Sequence, residues 1–468
     1  MQTVAGGVAA ATAGLASHVL WARKGRRGKL QLIPCALCEP RKAEVDTSAR
    51  HFADGAEGIR QVRLVQVLHR HGARTPLALL PGMPAVGSTD WESMWGQCRR
   101  VRSSKQPVAS EVEGSVSSLS FEGSASAGDA SSEYGPCGMG QLTRLGERQL
   151  EALGSFLRGR YLLHGEGSGK GLLQDSHSPV PSEVAVFSTS TSRTILSAQF
   201  LLKGLFPSAD GQLLADLVQV PHRDWLNETM VHNYASCDRL RQLQAEARSR
   251  VYGGLLTRHT LARLAEAIAG GEEEAQRLGV VGGGDPLRSL RAHGLPLPAG
   301  ISEGLARDLD ASGHALLEDS HGMGSLEVRR LGAGRLTADL DARIAARTAN
   351  SQSPLRLIDY SAHDTSISGL LCALGLPQHR WADLASSIII ELLEDVAIPE
   401  KPPEASGHWH IRVLFYDGLP SEQGPQVDVT LTLAAWQAAV APLRLSQAEY
   451  EIQCRMPPGM LKPPPHTW

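Results

Sequence analysis

The sequence predicts an α/β protein: a central mixed, mostly parallel sheet with helices on both faces, plus a smaller, mainly helical cap domain inserted in it. Three observations support this. Six-residue runs at Leu64–His69, Val184–Thr189 and Leu355–Tyr360 are largely apolar and too short for buried helices, which is how strands covered on both faces read. Stretches beside them place apolar residues at helical spacing, as in Leu142, Leu145, Ala152, Leu153 and Phe156. Between about 222 and 330 the composition shifts to Arg, Glu and Ala, as in a helical excursion from the sheet.

A chain of 468 residues can bury a large core, and 46 basic against 49 acidic residues give no field for nucleic acid. The expected organisation is a leader and linker over residues 1–60 and one large domain over 61–468. The core of that domain covers about 61–80, 140–221 and 331–468, a flexible insertion about 100–136, and the cap about 222–330. The leader runs from Val4 to Trp21 as a stretch rich in Ala, Gly and Val. Arg23-Lys24-Gly25-Arg26-Arg27 follows it, with no acidic residue before Glu39. A cleaved secretory signal carries its charge before the apolar segment, not after it. The leader therefore reads either as a single weak membrane anchor with a basic flank or as an organelle-import segment. A mitochondrial or membrane-anchored organellar location is expected, with a secretory or lysosomal one as the alternative. Seven cysteines leave room for one or two bridges. Cys35-Ala36-Leu37-Cys38 has half the spacing of a zinc site, but no second pair follows, so it is read as non-metal.

Taken in order, the first strand runs to His69, and Pro76 ends any regular continuation. Residues 103–135 carry too few large apolar groups to offset their ordering entropy, hence the flexible insertion. Thr143 is placed to cap the next helix. His164–Gly171 lacks the glycine and the Ser or Thr that a nucleotide phosphate loop needs. Ser190 to Arg193 turn from the second strand into a helix, and Asn227-Glu228-Thr229 is a glycosylation sequon. Glycines at Gly270-Gly271 and Gly282-Gly283-Gly284 should break the cap helices. After the third strand, Ile367, Leu370, Leu371 and Leu374 share a helix face that Gly375 terminates. Ser387–Leu393 and Trp409–Tyr416 read as paired strands, and Ser446 with Glu449 as a capping box.

Each of the three apolar runs leads into residues suited to one anion. Arg70, His71 and Arg74 follow the first, Arg193 lies near the second, and His363 and Asp364 follow the third. Open α/β sheets gather ligands at the carboxyl ends of strands, so these distant positions can converge. Two guanidiniums this close repel, and setting both beside a buried strand is costly without an anion to share. Phosphate fits their forks. No carboxylate cluster for a metal pair is evident, so no cofactor is expected. The positive field that phosphoryl transfer needs would come from Arg70, Arg74, Arg193 and His363. His71 would attack phosphorus, and Asp364 would protonate the leaving alkoxide and later activate water.

Arg70-His71-Gly72-Ala73-Arg74-Thr75-Pro76 fits an Arg-His-Gly-x-Arg-x-Pro signature, and the chain resembles the histidine acid phosphatases over roughly 62–455. Gly140-Gln141-Leu142-Thr143, Ser192-Arg193-Thr194 and Ser361-Ala362-His363-Asp364-Thr365 follow in that family's order. The resemblance implies the same roles for the six residues just named. It departs at Phe187, six residues before Arg193, where members usually carry arginine. Within the family the likeness runs to lysophosphatidic acid phosphatases, through Val65-Gln66-Val67, Asn233-Tyr234-Ala235-Ser236-Cys237 and Leu445-Ser446. This implies a lysophosphatidic-acid-like lipid phosphate as substrate. General acid phosphatase or phytase-like action is the alternative, and a non-catalytic phosphate or lipid binder a more distant one.

Overall fold

The structure, a computed structural model, describes residues 60–100, 133–163, 172–173, 177–222, 225–395 and 409–455, with a short backbone pairing of Ala22–Lys24 and Leu30–Leu32. The apolar leader stretch, Cys35 and Cys38, the segment 164–171 and most of the expected insertion lie outside the described residues. Among the described residues no helix is long and apolar enough to cross a membrane.

Alternation sets the central strand. In β1 (Arg60–Arg70), Leu64 and Leu68 enter one apolar cluster while Val65 and Val67 enter another on the opposite face. The other strands of its sheet are β2 (Val184–Ser188), β3 (Val218–Gln219), β4 (Leu357–Ala362), β5 (Ser387–Asp395), β6 (Trp409–Tyr416) and β7 (Val427–Thr432). They form one seven-stranded sheet in the order β7-β6-β5-β1-β4-β2-β3. Pairings from β1 to β3 are parallel and those from β1 to β7 antiparallel, so β1, β2, β3, β4 and β6 point one way. Register aligns the ends that matter: Arg70 lies beside Ala362, and Ser188 beside Ser361.

Helices α1 (Arg144–Arg158) and α2 (Ser192–Leu205) cover one face, through Leu150, Leu153 and Leu157 from α1 and Leu201, Leu202 and Leu205 from α2. Thr143 caps α1, its hydroxyl accepting from the Gly146 N–H. The chain then runs through α3 (Asp238–Gly253), α4 (Leu255–Ala267), α5 (Gly271–Ala292) and α6 (Glu303–Ser320). Leu264, Leu287, Leu305 and Leu309 from α4, α5 and α6 share a separate apolar cluster that Leu80 joins. It returns as α7 (Leu326–Ala349) and α8 (Asp364–Leu374), which cover the second face of the sheet through Leu336, Leu340, Ile367 and Leu370. Gly375 ends α8 with φ 69°, the left-handed stop its position suggested.

One expectation fails. Gly282-Gly283-Gly284 does not interrupt the chain but lies inside α5; the kink falls earlier, at Gly279 with φ 60°. The glycines serve packing instead, since a Cβ on Gly283 would sit 2.9 Å from a Leu264 methyl of α4. At Gly270 and Gly271 the break is real, with φ 92° and 58°.

Among the described residues there are two disulfides. Cys98–Cys137 joins the two ends of the insertion beside a ribbon of Gln97–Arg99 against Tyr134–Pro136. Cys237–Cys454 fastens the start of α3 to the end of the last described helix, Gln447–Gln453. Cys372 is buried and unpaired.

Candidate active site

The loop after β1 is built by contact with a second motif. A Cβ on Gly72 would come within 2.5 Å of the Gly146 carbonyl, and one on Gly146 would strike the Ala73 carbonyl, so the start of α1 abuts the loop directly. Hydrogen bonds lock this contact. The Ala73 carbonyl accepts from Thr143 N–H at 3.0 Å, the Ala73 N–H donates to Gln149 at 2.7 Å, and the Thr75 N–H donates to the Gln141 carbonyl at 3.0 Å. Gly140–Gln149, which by itself reads in sequence as a helix start and resembles a family motif, is therefore the buttress beside the loop of His71 and Arg74.

The structure brings all six expected residues together. His71 and His363 meet edge to face, their ring centroids 5.7 Å apart. Arg70 pairs with Asp364 at 2.9 Å and donates to the Ala382 carbonyl at 2.5 Å. His363 shares a 2.9 Å hydrogen bond with the Thr189 hydroxyl, which in turn meets Thr194 on the first turn of α2. That turn carries Arg193, whose guanidinium lies 3.6 Å from the position a Cβ on Gly140 would take. Phe187 points away from this cluster, against Tyr360 and Arg343 on the α7–α8 face.

Two participants were not legible in the sequence. Asp285 on α5 is buried, pairs with Arg74 at 2.6 Å and accepts from the Leu77 N–H at 2.6 Å. Trp381, in the loop between α8 and β5, donates its indole N–H to Asp364 at 2.9 Å. Asp285 had one faint mark, an acidic residue set between a glycine run and Pro286; Trp381 had none.

The electrostatics favour an anion among these cations. Burial, followed by Arg193, Arg70, Arg74 and His363, holds the His71 imidazole well below its ordinary value, so the ring stays neutral in mild acid. Its Nδ1 lies 2.8 Å from the Gly72 carbonyl, which can only accept. Nδ1 therefore carries the proton and Nε2 keeps its lone pair. Arg193 is pushed down to about 9, first by burial and then by Arg74. Arg70, Arg74 and Arg193 each keep a buried Nε–H without an acceptor among the described residues. Burial alone would raise the Asp364 carboxyl, but Arg70, the Trp381 indole, Arg74 and His363 outweigh it and hold the group well below the usual carboxylate range.

Residues 61–277 and 310–416 match the family model for the histidine phosphatase superfamily, branch 2. The chain belongs to that superfamily branch. The histidine phosphatase assignment makes it a phosphoric monoester hydrolase, and relatives carry named activities of that kind. It is 25% identical over 418 residues to human lysophosphatidic acid phosphatase type 6, covering 84% of this chain and 86% of that one. It is 27% identical over 381 residues to lysosomal acid phosphatase of Bos taurus, covering 76% and 71%. In fold it matches the multiple inositol polyphosphate phosphatase of Bifidobacterium longum, with a TM-score of 0.52, 12% identity and coverage of 87% and 97%.

Proposed function

We propose that this histidine phosphatase is a metal-independent phosphomonoesterase that works through a phosphohistidine on His71 and acts on a lysophosphatidic-acid-like lipid phosphate. One observation carries the reading: buried Arg70 and Arg74 and half-buried Arg193 surround one neutral imidazole, with Asp364 and Asp285 paired against the first two. Arg70, Arg74, Arg193 and His363 clamp the phosphate oxygens and stabilise the charge that spreads over them in transfer. The Nε2 lone pair attacks phosphorus, the bond to the alkoxide breaks, and Asp364 gives the departing oxygen its proton. Water then attacks the phosphohistidine, Asp364 takes the proton back, and the P–N bond breaks.

Paired with Arg70, the Asp364 carboxyl is held ionised, which is the wrong state for an acid. The arriving phosphate corrects this. It draws Arg70 into its own pairing and adds negative charge nearby; both effects raise the carboxyl, which takes up a proton from solvent before transfer. The residues of 61–468 act as one catalytic domain, with the helices of 222–330 as a cap over the site.

The lipid reading rests on the lysophosphatidic acid phosphatase relative. Phosphate release should persist in excess chelator, with a higher kcat/KM for lysophosphatidic acid than for glycerol phosphate or phytate. Equal values on all three would reject the lipid substrate, and loss in chelator would reject the metal-free mechanism.

For the compartment we favour the secretory or lysosomal alternative over the mitochondrial or membrane-anchored one. Two disulfides suit an oxidising lumen, and the Bos taurus relative is named as lysosomal. Asn227, exposed at the end of the turn Trp225–Asn227, should then carry a glycan. Endoglycosidase should shift the mobility of the native protein but not of Asn227→Gln; an unshifted native chain argues for the organellar reading.

A further inference from the structure

We infer that Trp381 is a positioning residue for the proton donor, set in place by the cap, and this rests on the phosphomonoesterase reading above. Its indole N–H reaches the same Asp364 oxygen, Oδ2, that Arg70 holds at 2.9 Å. The other oxygen, Oδ1, accepts from the Thr365 N–H at 2.8 Å. When phosphate takes Arg70, the indole is the side-chain donor that keeps the carboxyl oriented toward the leaving group. The neighbouring backbone serves the same end. Ala382 C=O accepts from Arg70, Ser386 C=O accepts from the Arg70 N–H, and the Ala385 N–H donates to the His71 carbonyl at 3.2 Å. Ala385 holds a φ of 59°, a left-handed conformation that a non-glycine residue adopts only when its surroundings impose it.

The cap fixes the ring from two sides. Arg288 of α5 lies 3.8 Å over the indole and is itself held by Asp310 of α6 at 3.0 Å. From α6, Gly313 leaves the space the ring fills: a Cβ there would come within 2.5 Å of Trp381 Cζ3. The chain of contact therefore runs from two cap helices through one aromatic ring to the acid.

Leaving-group dependence tests this. An alkyl phosphate needs a proton on its departing oxygen, whereas p-nitrophenolate leaves without one. Trp381→Phe should lower kcat/KM for glycerol phosphate about tenfold and that for p-nitrophenyl phosphate by no more than about twofold. Removing a donor to the carboxylate raises the pKa of the acid, so the alkaline limb of the glycerol phosphate profile should move to higher pH. Gly313→Ala, which pushes the ring from outside the reacting groups, should reproduce the pattern while remaining folded, its gain in helix propensity offsetting part of the overpacking. Equal losses on both substrates with an unmoved limb would make Trp381 merely structural, and wild-type kinetics in both variants would remove it from the mechanism. If Trp381→Phe does not fold, Gly313→Ala decides. A native enzyme that hydrolyses neither substrate, or a His71→Ala enzyme that hydrolyses both, overturns the underlying reading instead.

Discussion

Replacing His71 with alanine should lower phosphate release by roughly four orders of magnitude or more while leaving the fold in place. The imidazole hydrogen-bonds to the carbonyl of its own neighbour, Gly72, so no distant element hangs on it. Stability should change in a pH-dependent way. An unfolded histidine takes up a proton near pH ~6.5, but the buried His71, its pKa depressed by burial and by Arg193, does not. As pH falls through that value the unfolded state binds more protons than the native one, and this group costs up to about 1.4 kcal/mol of stability per pH unit. Above about pH 6.5 the cost vanishes. The alanine variant has no such group, so its urea midpoint should fall less than that of the native enzyme between about pH 7 and pH 5. Parallel falls, or a variant retaining a tenth of native turnover, would contradict the assignment.

Asp285→Ala should be the most damaging substitution outside the reacting groups, costing about 3–5 kcal/mol. It strips the partner from a buried guanidinium, Arg74, and the acceptor from the Leu77 N–H. Arg70 and Arg193 then face an uncompensated third cation. Inorganic phosphate should therefore raise the melting temperature of Asp285→Ala by more than that of the native protein, because the ligand supplies the missing negative charge. Asp285→Asn, which keeps an acceptor for Leu77, should fall between the two. A melting temperature equal to the native one in Asp285→Ala would show that the pair carries no such load.

The frame of this molecule could be read from its residues because burial writes a period into them. The alternation of Leu64, Val65, Val67 and Leu68 fixes a strand with two covered faces, and an arginine-histidine cluster at its end needs an anion wherever it sits. The middle motifs were harder to interpret. Gly72 and Gly146 matter because two backbones touch there, and no periodicity encodes contact between residues so far apart. Glycines 282–284 misled for the same reason: absent side chains signal either a break or close helix packing, and composition does not separate them. Asp285 and Trp381 arrive at the site from other elements, so their roles exist only once the chain is folded.

The Cys237–Cys454 bridge closes a covalent ring with a sequence separation of 217. On loop-closure grounds such a ring restricts the denatured chain by on the order of 5 kcal/mol. The oxidised polypeptide never becomes a free linear coil: strands β4 to β7 and the helices that precede them remain on one tether even when melted. Thiol-treated material should thus refold poorly compared with the intact hoop, and a sample kept under reductant reports on a different, weaker molecule.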